Sequence, residues 1–273
     1  MDFSIANIRA LALLFIIVLI VSIVAALFPR LSDTQNISVA PPLNTVALNG
    51  VETPCSPTLT STFPVKILPY SHFTIGYDEQ AKSPAWVMYY LNGPIRFRGD
   101  QRRPSIFTTE FRTSAHVAYG DYRNTDFDRG HLCPAYAMFS RYGEAAQKET
   151  FIMANVVPQR RGLNAGEWEE LEAAIAGRDG RGDGWAGEDG GVWVINGPVY
   201  ARRPASHALP NGTWIPDSCW SVIIRKIAGK WQSFGFLMPN ERQVDGPYQR
   251  YAVSIEHVQR VSGVRLQLSG CGE

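Results

Sequence analysis

Short runs of aromatic and β-branched residues recur through this chain at uneven spacing, and helical stretches do not separate them with the regularity that a parallel sheet requires. Ala85-Trp86-Val87-Met88-Tyr89-Tyr90-Leu91 is one such run, and Val192-Trp193-Val194-Ile195-Asn196 is another. Residues of this kind fit a pleated, half-buried surface. Residues 221–227 and 231–238, joined through Ala228-Gly229-Lys230, predict a hairpin. The clearest helical pattern runs from 164 to about 176, where Trp168, Leu171 and Ile175 share one apolar face. Asn164 is its expected N-cap, with Glu167 as reciprocal partner. A second short helix is expected between Ser254 and Gly263. Strands and helices mixed without a βαβ rhythm predict an α+β fold with a mixed, largely antiparallel sheet.

The first 30 residues stand apart. Residues 10–28 are apolar except for Ser22, and 19 residues give about 28 Å of helix, enough to reach across a bilayer core. The expectation is a transmembrane anchor or signal segment over 1–30, a proline- and serine-rich tether over 31–64, and one catalytic domain over 65–273. With so short a leading tail, the domain is expected on the non-cytoplasmic side of a membrane. Secretion after cleavage and a mitochondrial inner-membrane location are the alternatives. Cys55, Cys133, Cys219 and Cys271 fit an oxidising compartment, and sequence does not select among their three pairings. Residues 177–191, dense in glycine and charge, predict a mobile loop.

The net charge is only +1, but residues 94–161 hold 11 Lys/Arg against 7 Asp/Glu, which suits an anionic ligand. Inside that stretch lies Asp128-Arg129-Gly130-His131. Further on come Asn155-Val156-Val157-Pro158-Gln159 and Leu163-Asn164-Ala165-Gly166-Glu167-Trp168. Cleaving a phosphodiester needs an activated water, charge stabilisation on the phosphoryl oxygens and help for the departing oxygen. A histidine near its pKa can take the proton from water, and His131 is the candidate base. Arg129, two residues away on an extended strand, projects from the same face and can hold phosphate. Asp128 then points the other way, where it can accept hydrogen bonds that fix the turn. One amide oxygen, that of Asn164, suits a magnesium ion that keeps most of its waters. Glu172, eight residues on, falls near the same helix face and can bind metal-held water.

Taken in order, these segments resemble the sugar-nonspecific DNA/RNA endonucleases of the ββα-metal, or His-Me finger, group. The similarity covers roughly 63–268, beginning with the strand at Trp86–Tyr89 and continuing through Asn196-Gly197-Pro198-Val199-Tyr200 and Ile215-Pro216. The resemblance implies a catalytic set of His131, Arg129, Glu172 and Asn155, with Asn164 holding the metal and Asn155 shaping the site. It implies substrate contacts from Arg103 and Arg129, with Arg102 as the neighbouring candidate for the first. Magnesium is the implied cofactor, with manganese as a substitute. DNA and RNA are the implied partners, cut to 5′-phosphate ends. The apolar N-terminal segment lies outside the resemblance and is the ground for expecting a membrane contact, and a homodimer is a further expectation. Leu132 and Cys133 follow the histidine where the family often has Ala or Gln, a change that leaves the chemistry intact; Cys133 is expected as a buried thiol packing behind the site, whose oxidation would affect activity. Two other readings stand beside the enzyme: a noncatalytic nucleic-acid-binding module of the same fold, and a phosphodiesterase acting on a smaller diester near a membrane.

Overall fold

The computed structural model describes residues 55–269, apart from 100, 101, 179 and 189. In chain order the main elements are β1 (Ser56–Ser61), β2 (Lys66–Pro69), β3 (Phe73–Asp78), β4 (Ser83–Leu91), β5 (Asp128–His131), α1 (Ala135–Tyr142), α2 (Glu144–Thr150) and β6 (Val156–Gln159). They continue with α3 (Trp168–Ala176), β7 (Val192–Val199), β8 (Ser218–Ile227), β9 (Lys230–Pro239), β10 (Ala252–Val253), α4 (Ile255–Ser262) and β11 (Val264–Ser269). Seven strands form a central sheet in the order β10-β9-β8-β7-β4-β3-β2, while β5-β6 and β1-β11 are separate two-stranded sheets. All these strand pairs are antiparallel, as the α+β reading anticipates.

Period-two alternation divides the apolar residues of the central sheet between two cores. On β4, Val87, Tyr89 and Leu91 pack with Leu132, Trp168 and Leu171 on one face. Trp86, Met88 and Tyr90 pack with Val258 of α4 and Val264 of β11 on the other. The sheet therefore separates a face carrying β5, β6 and α3 from a face carrying α4, β1 and β11. The predicted hairpin is β8-β9, and its turn places Ala228 at φ 50° and Gly229 at φ 80°. Two positive φ values in succession match the twist of the flanking strands. Helix α4 also forms as expected, with Ser254 Oγ accepting from His257 N at 3.1 Å and Gly263 closing it in the left-handed region.

Several expectations need correction. The stretch read as tether contains β1, which pairs along its length with β11. Cys55 just before it is buried and disulfide-bonded, whereas Cys133 and Cys219 are free thiols; Cys271 lies outside the described residues. The segment 177–191 is tied down where mobility was predicted. Arg178 pairs with Glu169 and Arg181 with Glu170. Asp183 accepts from Ile95 N at 2.9 Å through its carboxylate and from Arg141 Nη2 at 2.6 Å through its backbone carbonyl.

The membrane assignment is also withdrawn. Among the described residues no helix is long and apolar enough to cross a membrane. The longest, α3, has nine residues, or about 14 Å at the helical rise, less than half of a hydrocarbon core. The apolar span at 10–28, on which membrane contact and placement on the non-cytoplasmic side rested, lies outside the described residues.

Candidate active site

Strands β5 and β6 and helix α3 make the ββα unit that positions the site. On β5, Gly130 allows a close approach that a larger residue would block: a Cβ there would stand 1.9 Å from Gln159 Oε1. Asn155, fully buried, fixes the chain just past the histidine. Its Oδ1 accepts from Cys133 N at 2.9 Å, and its Nδ2 donates to the carbonyls of Cys133 and Thr150, both at 3.0 Å. Through these bonds Asn155 positions the backbone beside His131.

Before α3 the chain makes a wide π-type turn over Leu163–Glu167, with Gly166 outside helical geometry at φ −118° and ψ −122°. Turns of this kind recur at functional sites because they rotate side chains off the regular helical faces. This turn removes Asn164 from the N-cap role expected of it, since α3 begins at Trp168 and Glu167 takes the N-cap position, without a side-chain capping bond. Instead Asn164 Nδ2 donates to Asp128 Oδ2 at 3.1 Å. That bond orients the amide and leaves its carbonyl oxygen free to meet a cation. Asp128 does point away from Arg129 and His131, but it serves the asparagine and, at 3.8 Å, Arg161, where a turn contact was expected.

His131, Arg129, Arg103, Asn164 and Glu172 all line one cleft of about 800 Å³. Arg129 and His131 share it because residues two apart on a strand face the same way. His131 sits between Phe107 and Phe151, with ring centroids 4.9 and 5.0 Å away. Its Nε2 is buried and has no partner in the protein. Burial, and then the charge of Arg103, lower its pKa from the ordinary 6.5 to about 3. Burial also raises Glu172 to about 8, against a lowering influence from Arg178, and Glu172 Oε1 is likewise buried without a partner. Two unpaired buried atoms on one cleft wall are costly unless a ligand, ion or water satisfies them.

The arginines differ in how freely they can act. Arg129 donates to Tyr119 O through Nε (3.2 Å) and Nη2 (2.6 Å) and lies 3.9 Å from the Tyr119 ring centroid, so much of its fork is already committed. Arg103 lies over Phe151 at 5.6 Å with no hydrogen bond or ion pair to any other described residue, which leaves its guanidinium available to an anion. Arg161 and Arg178 also line the cleft. Sequence reading missed them, and missed Phe107 and Phe151. Arg161 was signalled by its place three residues before Asn164, while the two phenylalanines reach the histidine through contacts with no local signature. The Cys133 thiol is buried in the core, as expected, and burial holds it far above its ordinary pKa, which makes it inert to the oxidation that its place beside the histidine suggested.

Among the described residues no group of three or more His, Cys, Asp or Glu side chains is placed to hold a metal ion. A protein-built zinc or calcium cage is thus not formed by them. A single oriented amide oxygen beside partnerless polar atoms suits an ion that keeps its own water shell.

Residues 53–270 match the profile of the DNA/RNA non-specific endonuclease family. The chain belongs to this family. Within it, human mitochondrial endonuclease G is 29% identical over 206 residues, covering 70% of this chain and 66% of that protein. Zebrafish mitochondrial nuclease EXOG is 30% identical over 218 residues, covering 71% of this chain and 59% of that protein. The chain therefore spans less than two thirds of these relatives' lengths. A crystal structure of an EndoG/EndoGI complex, 23% identical, superposes with a TM-score of 0.61 over 74% of this chain and 86% of that chain, which shows the shared fold. The named relatives are mitochondrial proteins.

Proposed function

We propose that this chain hydrolyses phosphodiester bonds of DNA and RNA without selecting the sugar, leaving 5′-phosphate ends. The observation that carries this reading is convergence: the partnerless Nε2 of His131, the partnerless Oε1 of Glu172 and the oriented amide of Asn164 open on one arginine-lined cleft. His131, neutral at pH 7, accepts the proton of the attacking water at Nε2. The phosphate anion that enters beside it offsets the charge of Arg103, which raises the basicity of the imidazole toward the working range. Arg103 binds the phosphate, and the uncommitted Nη1 of Arg129 adds to it. Asn164 Oδ1 would hold a hydrated magnesium or manganese ion, with Glu172 accepting hydrogen bonds from its waters. Such an ion supplies charge neutralisation on the phosphate and the leaving oxygen. Contacts of this kind address the backbone and carry no base information, which fits substrates of either sugar.

The full chain, incubated with supercoiled plasmid and with RNA, should cleave both in magnesium and neither in chelator. His131→Ala should lower cleavage by at least roughly 10²-fold, the usual general-base contribution, with nucleic-acid binding retained. Near-normal turnover in that variant would remove His131 from the mechanism. A noncatalytic nucleic-acid-binding module of the same fold is the second reading. It draws support from the low basicity of His131, near 3, and from the committed Arg129. Retention of nucleic acid on a gel without cleavage at any magnesium concentration would establish it. The small-diester reading was motivated by the apolar span at 10–28, which lies outside the described residues.

A further inference from the structure

A second groove, of about 230 Å³, lies on the opposite face of the central sheet, where α4, rather than α3, packs. Three arginines line it, from two segments far apart in the chain: Arg202 and Arg203 after β7, and Arg260 near the end of α4. Each guanidinium is held by a side chain. Arg202 Nε donates to Ser206 Oγ at 2.8 Å, Arg260 Nη2 lies 2.6 Å from His257 Nδ1, and Arg203 pairs with the buried Asp78. Arg203 also stacks 3.8 Å from the Phe63 ring centroid, which forms part of the groove wall. Asp78 balances Arg203 alone. Among the described residues, neither Arg202 nor Arg260 has a carboxylate within ion-pairing distance.

Three arginines lining one concavity, of which Asp78 neutralises only Arg203, repel one another, and a bound anion relieves that repulsion. They come from two separate segments and each carries a fork of donors, so they suit an anion with oxygens on several sides better than a planar carboxylate. We propose that this groove is a second anion site, which takes a phosphoryl group and works apart from the catalytic cleft. The same chemistry is offered by inorganic phosphate, by a 5′-mononucleotide and by the backbone of a nucleic acid strand, and the sheet between the two faces makes the site independent of hydrolysis.

The test is calorimetric titration of the full-length wild-type chain and of the double variant Arg202→Ala, Arg260→Ala with phosphate, a 5′-mononucleotide, a short single-stranded oligonucleotide with non-hydrolysable linkages, and succinate. A binding event in the wild type with at least one phosphate-bearing probe, weakened at least tenfold in the double variant while plasmid cleavage and melting temperature hold, supports the site. The strongest of the three probes identifies its source. Identical isotherms for the two proteins, absence of binding at millimolar phosphate probe, or equal binding of succinate would overturn it. Because Arg203 keeps its partner in this variant, the fold is retained. Arg202→Lys with Arg260→Lys, which keeps charge and loses the fork, should recover part of the affinity.

Discussion

At the residue scale, two groups in the cleft titrate away from their ordinary ranges, and Glu172 is thereby protonated at neutral pH. His131, lowered to about 3 by burial and by Arg103, is neutral far into the acid range. The acid limb of kcat/KM reports this group in the free enzyme and should therefore lie well below pH 6.5. Removing the nearby positive charge makes the imidazolium less costly, so Arg103→Ala should move that limb to higher pH; an unmoved limb would separate Arg103 from the histidine. Glu172 is raised to about 8 by burial. In the metal-free protein the folded state holds a proton between pH 4.5 and 8 that the unfolded state has lost. Stability from this group falls as pH rises through that window. Glu172→Gln in chelator should thus melt higher than wild type at pH 8 and nearly the same at pH 4, while its plasmid cleavage falls. A variant that melts lower at pH 8 would show that the carboxylate is not held in an apolar setting. His131 and Arg129 could be read together because residues two apart on a strand face the same way, whereas the direction of Asn164 depends on a π-type turn that the sequence did not signal. Asp128 was half legible: its direction followed from strand alternation, but its partner, 36 residues away, did not.

At the element scale, the turn before α3 decides where Asn164 points. A Cβ on Gly162 would stand 2.1 Å from the backbone carbonyl oxygen of Arg242, and backbone cannot rotate aside. Gly162→Ala should cost about 1–3 kcal/mol, as overpacking does, and should weaken metal dependence more than Gly120→Ala, a site with open space around it. Equal metal titrations for the two would dissociate the turn from the ion. The segment leading to Phe107 is anchored by Glu110, whose carboxylate accepts from Arg112 and Tyr70. Burial alone would raise its pKa, but those hydrogen bonds outweigh it and bring the carboxyl down to about 2. This contribution to stability is present above the unfolded value of 4.5 and is lost as pH falls toward 2. Glu110→Gln should accordingly lose stability at pH 7 and converge with wild type in acid, as read from melting curves; parallel loss at every pH would assign the effect to packing. The sequence predicts helix α3 through the spacing of Trp168, Leu171 and Ile175, all buried, yet not its starting turn, because the π-type geometry depends on Gly162 against Arg242.

At the scale of the whole molecule, the central sheet divides two tasks. One face carries the ββα unit and its cleft; the other carries β1, α4 and β11, with Cys55 buried there in a disulfide and its carbonyl accepting from Trp193 Nε1 at 2.8 Å. Cys55→Ser should lower stability by about 2–4 kcal/mol while leaving the metal dependence of cleavage unchanged below the melting range; an altered metal titration would join the two faces. The alternating strands and the hairpin were readable from local pattern, whereas β1 was hidden in a proline-rich stretch because its pairing with β11 spans nearly the whole domain. In the proposed mechanism Asn164 and His131, on different elements, serve one cation-assisted site in different roles. The most direct measurement is calorimetric titration of Mn²⁺ into the full-length wild type, Asn164→Ala and His131→Ala. One site is predicted, weakened at least tenfold in Asn164→Ala and little changed in His131→Ala; identical isotherms for wild type and Asn164→Ala would contradict it.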